Sequence, residues 1–499
     1  MKRTEWSRCV ACVVIAALVI VGGAVAASAA NLRKIVVFVE GTSRKVQDQV
    51  IEKSGSRVLN VLSLINGVAI QLPAEGTEKA LSTLRAEPTV EAVYDDPTIA
   101  VQGAVSIGVD GIAGFIQPVP EPKRELYPWG LDRISVPYIH EDQPQVAGSG
   151  IDVAILDTGI DRNHPDLKTA IVSCINARAG EEQSNCQDDN GHGTHIAGII
   201  AAQSNQKGVI GAAPQSRLHV IKVLDKNGAG QVSDLISGLG WVPVKKIELL
   251  NMSLGFPQEW GCPPEAPAGS AQCPYPYPVL ARAIKRLYDA GVIMVAAAGN
   301  RNPRPLPIAQ GNGGDGNGGD GNGGDGNGGD GSCSTGQSLP PDEKTAQGNG
   351  GDSPALYCYK TTKVKAPAAY PWLIAVGATD AQDRVANYSR SGPEMAHHGV
   401  TAPGGLLQRD KAGVLVIEEG ILSTTIGGGY GVGNGTSQAA AHVTGALALM
   451  LTHKRGLPFK DVHALLMRRG RSYGLPPEWE GGGLIDAERM VNALKRGRW

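Results

Sequence analysis

Ile151-Asp152-Val153-Ala154-Ile155-Leu156-Asp157-Thr158-Gly159 is an unbroken apolar run that stops at a carboxylate and a glycine turn. Six residues of this kind read as a short buried strand, and such runs belong to parallel sheets covered on both faces. Asp157 then lies at the carboxyl end of the strand, where open α/β sheets place their ligands. Two later segments bring further chemistry to element edges. His192-Gly193-Thr194-His195-Ile196-Ala197-Gly198 opens an apolar helix with a histidine in its first turn. Gly435-Thr436-Ser437-Gln438-Ala439-Ala440-Ala441-His442-Val443 delivers a hydroxyl to the start of a second one. Unpaired N–H groups and the positive dipole end at a helix start favour developing negative charge, which suits a serine attacking a carbonyl. Asp, His and Ser thus occur in an order compatible with orientation, proton transfer and nucleophilic attack.

Other chemistry fits less well. Asp157-Thr158-Gly159 also suits an aspartic protease, but no second Asp-Thr-Gly or Asp-Ser-Gly supplies the partner carboxylate. His192, His195 and His164 lack the His-Glu-x-x-His spacing, and no Cys or carboxylate set completes a zinc site. His195 and His442 read as packed helix residues, and His397 with His398 as a solvated loop pair. A Gly-Thr-Ser alone is also ordinary turn and N-cap chemistry.

Together the three motifs resemble the signatures of the subtilisin-like serine proteases, the subtilases, in that family's chain order. Leu250-Asn251-Met252-Ser253-Leu254-Gly255 resembles the family's substrate-pairing strand. Val292 to Asn300 resembles the strand ending in its oxyanion-hole asparagine. Ala375-Val376-Gly377-Ala378, Ala402-Pro403-Gly404 and Gly483-Leu484-Ile485-Asp486-Ala487 extend the likeness, which covers roughly residues 127 to 495. The resemblance implies an α/β fold with a mostly parallel central sheet and helices on both faces. It implies a serine endopeptidase in which Asp157 orients, His192 transfers protons, Ser437 attacks and Asn300 donates to the oxyanion. Ser253, Leu254 and Gly255 would flank one side of an extended substrate, and Gly228, Ala229 and Gly230 the other, with small residues letting main chain approach main chain. A surface turn after Asn227 is the plainer reading of the second group. The family's usual Met after the serine is Gln438 here, and its usual Pro four positions on is Ala441. Gln438 removes an oxidisable thioether beside the nucleophile. Asp166, Gln203 and Asn205 match positions that hold a structural calcium in many subtilases, with Lys207 in the same loop. No catalytic cofactor is implied. The rival readings are a catalytically silent subtilase fold that binds partners, and a narrow processing protease.

The chain before residue 127 has its own organisation. Lys2, Arg3 and Arg8 precede an apolar run to about Val25 that ends Ala27-Ser28-Ala29, the pattern of a secretory signal over 1–29. Residues 34–101 alternate strand-like and helix-like segments. Strands are expected at Lys34–Val39, Gly67–Leu72 and Val90–Tyr94, with helices over Ser43–Ile51 and Glu75–Leu84. This resembles the small α+β, ferredoxin-like prodomain of secreted subtilases, which inhibits the enzyme and assists its folding. Residues 102–125, rich in Gly and Pro, read as a linker in which maturation would cut.

The 499 residues carry a net charge of −2 and no basic block, which argues against nucleic acid or an anionic membrane as partner. The expected partners are protein or peptide substrates and the chain's own prodomain. A secreted monomer with no membrane attachment after signal removal is expected. Two of the eight cysteines lie in the signal segment. The other six admit fifteen pairings, and nearest-neighbour bridges Cys174–Cys186, Cys262–Cys273 and Cys333–Cys358 are expected in an exported protein. Each such loop is worth roughly 3 kcal/mol in the chain-entropy model. Residues 311–331 repeat Gly-Asn-Gly-Gly-Asp and bury nothing apolar, so a flexible insert is expected there.

Overall fold

A computed structural model describes residues 32–101, 116–142, 144, 147–256, 277–301, 363–409, 415–417 and 419–497. The signal segment, Cys262, Cys273, Cys333, Cys358 and the insert at 311–331 lie outside the described residues.

The N-terminal unit runs β1 (Arg33–Phe38), α1 (Arg44–Lys53), β2 (Arg57–Leu62), β3 (Gly67–Gln71), α2 (Thr77–Arg85) and β4 (Val90–Asp95). Its antiparallel sheet has the order β2-β3-β1-β4, the ferredoxin-like arrangement. Ser43 caps α1 by accepting from Val46 N. Val50, Ile51, Ala80, Leu81 and Leu84 cover one sheet face with Val36, Phe38, Val68 and Ile70. Strand β2 is absent from the sequence expectation. Its side chains are mostly half-exposed, so it carries no clear alternation.

The rest of the chain is built on a parallel sheet, seven strands wide among the described residues, ordered β15-β14-β13-β11-β7-β9-β8. These are β7 (Asp152–Asp157), β8 (Ile171–Asn176), β9 (Arg217–Lys222), β11 (Leu249–Met252), β13 (Ile293–Ala297), β14 (Ile374–Thr379) and β15 (Gly399–Pro403). The apolar run ending at Asp157 is β7, near the middle of the sheet. Its alternate residues enter different cores. Val153 and Ile155 pack with α3 (His192–Ala201) and α6 (Thr436–His453) on one face. Ala154 and Leu156 pack with α4 (Val232–Leu239) and α5 (Pro278–Asp289) on the other. Burial on both faces explains why β7 has no polar alternation.

Two edge sheets depart from the sequence reading. The segment expected as linker contains β6 (Gln117–Val119), which pairs antiparallel with β17 (Gly429–Gly433), itself paired with β16 (Ile421–Thr425). Pro118 is tolerated because β6 is an edge strand with one partner. The other is the three-stranded sheet β10-β5-β12, from β10 (Ala229–Gln231), β5 (Thr98–Val101) and β12 (Leu254–Gly255). The end of the N-terminal unit is its middle strand. His398 also differs from expectation. It is buried, with Nε2 3.0 Å from Ala368 O, while His397 is exposed as expected.

Cys174 and Cys186 form the nearest-neighbour disulfide. Among the described residues no helix is long and apolar enough to cross a membrane.

Helix α3 meets the turn after β7 at backbone distance. A Cβ on Gly193 would lie 2.2 Å from Gly159 O, and backbone cannot swing aside as a side chain can. Gly193→Ala is expected to lower stability by about 1–3 kcal/mol in urea denaturation. A variant as stable as its parent would contradict this packing.

Candidate active site

Asp157 ends β7 and His192 starts α3, and their side chains meet directly. His192 Nδ1 lies 2.7 Å from Asp157 Oδ1, and both residues are buried. Asp157 Oδ1 also accepts from Thr158 N at 2.8 Å. Asp188, not singled out in the sequence, binds the two elements together. Its Oδ1 accepts from Thr158 Oγ1, Asn190 N and Gly191 N at 2.8–3.0 Å. Its Oδ2 accepts from Thr194 N and Thr194 Oγ1 at 2.9 and 2.6 Å. Thr158 Oγ1 in turn accepts from Gly193 N at 2.9 Å. A buried carboxylate thus satisfies the unpaired N–H groups of a helix start and fixes the Asp157 turn beside it. The sequence signal was present: an aspartate shortly before a glycine-led helix is N-terminal capping chemistry.

Ser437 lies in the first turn of α6, with the neighbouring strand ends holding it. Its Oγ donates to Ser253 O at 3.1 Å, and Ser253 Oγ donates to Ser437 O at 3.1 Å. Asn300 follows β13. Its Oδ1 accepts from Thr436 N at 3.1 Å and Thr436 Oγ1 at 2.9 Å, which orients the amide beside the nucleophile candidate. His192 Nε2 has no hydrogen-bond partner among the described residues, so the ring nitrogen that would face a serine is unoccupied by another donor or acceptor. The hydroxyl is spent on Ser253 here, and catalytic contacts commonly tighten only when substrate is bound.

The two substrate edges proposed from sequence face each other across β5. Gly255 pairs with Ala100 and Leu254 with Val101 on one side. Ala229 pairs with Ala100 and Gly230 with Ile99 on the other. Val101 N donates to Gly228 O at 2.9 Å. Gly228 is also the turn that the plainer reading foresaw, with φ of 70° and its N–H on Asp225 O. Ile99 is fully buried.

The calcium candidates form a closed hydrogen-bonded cluster. Asp166 Oδ1 accepts from Asn205 Nδ2 at 2.9 Å, and Oδ2 from Tyr430 OH at 2.9 Å and Val209 N at 3.2 Å. Gln203 Oε1 accepts from Thr169 Oγ1, and Asn205 Oδ1 accepts from Lys207 N. Glu125 ties the same loop through Ser204 Oγ, Asn205 N and Gln206 N at 2.6–2.9 Å. In this arrangement the candidate oxygens are engaged by protein donors, so a calcium ion, which takes six to eight oxygen ligands, would compete with those hydrogen bonds. The difference in melting temperature between excess calcium and EDTA is therefore expected to be the same in Asp166→Asn as in its parent; a rise of several degrees with calcium in the parent that Asp166→Asn abolishes would contradict the closed cluster.

His195 and His442 are packed as the sequence suggested. Each has a ring nitrogen on a carbonyl, His195 Nε2 at 3.2 Å from Gly431 O and His442 Nδ1 at 2.8 Å from Gln438 O. Burial pushes His195 down to about 3 and His442 to about 4, and lowers His140 and His398 as well. Neutral in the fold, these rings take up protons on unfolding once pH falls below the ordinary 6.5. Stability held above 6.5 is then lost as pH drops toward 4. Asp234, raised to about 6 by burial, opposes with a single group. Stability of the Ser437→Ala chain in urea denaturation should fall by on the order of 1 kcal/mol per pH unit over that window. A flat profile would contradict the buried neutral rings.

With this geometry in place, comparison with known proteins adds the family. The model of the Subtilase family matches residues 148–477. Subtilisin E of Bacillus subtilis (strain 168) is 30% identical over 416 residues, covering 82% of this chain and 77% of that protein. Subtilisin of Bacillus pumilus is 33% identical over 330 residues, covering 65% and 84%. An intracellular serine protease of Paenibacillus polymyxa is 30% identical over 365 residues, covering 72% and 84%.

Proposed function

The chain belongs to the subtilase family and is a subtilisin-like serine endopeptidase; we propose that Asp157, His192, Ser437 and Asn300 do its chemistry and that its N-terminal unit holds it inhibited until cut. A substrate lies as a middle strand between Ala229–Gln231 and Ser253–Gly255. Main-chain pairing supplies most of the recognition. Ser437 Oγ attacks the carbonyl carbon while His192 Nε2 takes its proton. Asp157 holds Nδ1–H and stabilises the imidazolium that forms. The oxyanion is met by the Asn300 amide and the start of α6. His192 then returns the proton to the leaving amine as the C–N bond breaks. Water, deprotonated by His192, releases the acyl group and restores the serine.

The observation that carries the inhibited-precursor reading is Thr98–Val101 paired on both cleft edges in the register of an extended substrate. The body of the N-terminal unit is anchored beyond the cleft. Asp96 accepts from Ser233 N at 2.8 Å and Ser233 Oγ at 2.7 Å at the start of α4, and from Arg33 Nε at 3.0 Å. Glu91 meets Arg282 and Glu40 meets Arg286 on α5. Such docking supports inhibition in cis, because the tail is presented at high effective concentration. The disulfide at Cys174–Cys186 and the signal-like first 29 residues support export to an oxidising compartment.

Intact-mass analysis of purified precursor tests this reading. The wild type is expected to convert to a two-piece form cut between Gln102 and Gly103, one residue past the cleft strand, while Ser437→Ala stays whole. A Ser437→Ala chain trimmed at that bond at the wild-type rate would overturn self-processing.

A further inference from the structure

A substrate added along the ladder of β5 and β12 sets its next residue, the one after the Val101 position, opposite Ser253. Ser253 O receives the Ser437 hydroxyl, so that residue carries the carbonyl under attack. Its side chain enters the gap between β12 and the end of β13. The far end of this gap is closed by the segment around Lys365. Lys365 N donates to Ala298 O at 3.0 Å on one wall, and Phe256 N on the other wall donates to Ala366 O at 3.3 Å.

Gly299 reports what fills the gap. Its φ is 104°, and a Cβ there would lie 3.0 Å from both Cγ and Cδ of Lys365 and 3.1 Å from Cδ of Arg390. Two basic stems therefore cross the face of the residue that precedes Asn300. Arg390 is fixed by Nε to Asn300 O at 3.3 Å and Nη1 to Lys363 O at 3.0 Å. Both Lys365 and Arg390 are half-buried, so their field is less screened than at the open surface. The effect reaches Arg301, whose pKa is lowered by burial and then by the Arg390 charge.

We propose that this pocket selects an anionic or carboxamide side chain, glutamate or glutamine, immediately N-terminal to the cleaved bond, with Lys365 setting the preference and Arg390 supporting it. The inference rests on Ser437 being the nucleophile. A carboxylate gains a charge-assisted partner there, an apolar side chain offers these cations no acceptor, and a lysine adds like charge. The residue that follows Val101 in this chain, Gln102, is of the selected class.

The test uses the processed enzyme and quenched peptides Ile-Ala-Val-X-Gly with X as Glu, Gln, Phe or Lys. The expected kcat/KM for Glu exceeds that for Phe by about tenfold or more, with Lys poorest. About 1 M NaCl should shrink the Glu advantage. Lys365→Gln should lower Glu about tenfold while leaving Phe within about twofold, which also certifies the fold. Preference for Phe in the wild type, or an unchanged order in Lys365→Gln, would overturn the pocket assignment alone. Cleavage of none of the peptides, alongside absent self-processing, would overturn the endopeptidase reading and the pocket with it.

Discussion

Everything in the site depends on a helix being allowed to touch a turn. The 2.7 Å contact between Asp157 and His192 exists because α3 begins against the backbone of Gly159, where only a glycine at 193 fits. Asp188 makes that approach stable by accepting from both sides of it. Removing water from a carboxylate and an imidazole is unfavourable unless each finds a partner, and here they find each other. The parallel sheet behind them supplies stiffness, since β7 is buried on both faces and its carboxyl end cannot drift.

In the proposed mechanism the same strand ends let recognition and chemistry share one edge. Ser253, just past β11, and Asn300, just past β13, both contact the first turn of α6. A chain paired with Leu254 and Gly255 therefore runs its carbonyl toward Ser437. The protein's own residues 98–101 pair with that edge, and the unit they belong to is held by Asp96 at the start of α4 and by ion pairs on α5. In the proposed reading, inhibition and substrate binding use the same hydrogen-bond ladder and differ in what happens after the bond is cut.

Much of this was legible in the chain. Three short motifs pointed to the candidate site because each couples a reactive type of side chain to an element end, and the apolar run at 151–156 could be placed in a covered parallel sheet. The N-terminal unit was legible through its helical periods. What escaped had local signals that were weak or ambiguous. Strand β2 is half-exposed, and β6 is three residues containing a proline. Asp188 reads as one more polar residue until Thr158, Gly191 and Thr194 converge on it. Lys365 and Arg390 lie far from Asn300 in sequence, and only the fold sets their stems over Gly299. The calcium candidates have the same character: their sequence positions say nothing of the donors that Tyr430 and Val209 bring to the same loop, or of the Glu125 carboxylate that accepts from it.

The central claim is that a reactive Ser437 lies under the Thr98–Val101 strand. A serine-directed fluorophosphonate, followed by peptide mapping, tests it most directly. Labelling is expected at Ser437 alone, slow in the intact precursor and fast once the N-terminal unit has been cut and removed. Equal labelling rates in both forms, or a label on any other residue, would contradict it.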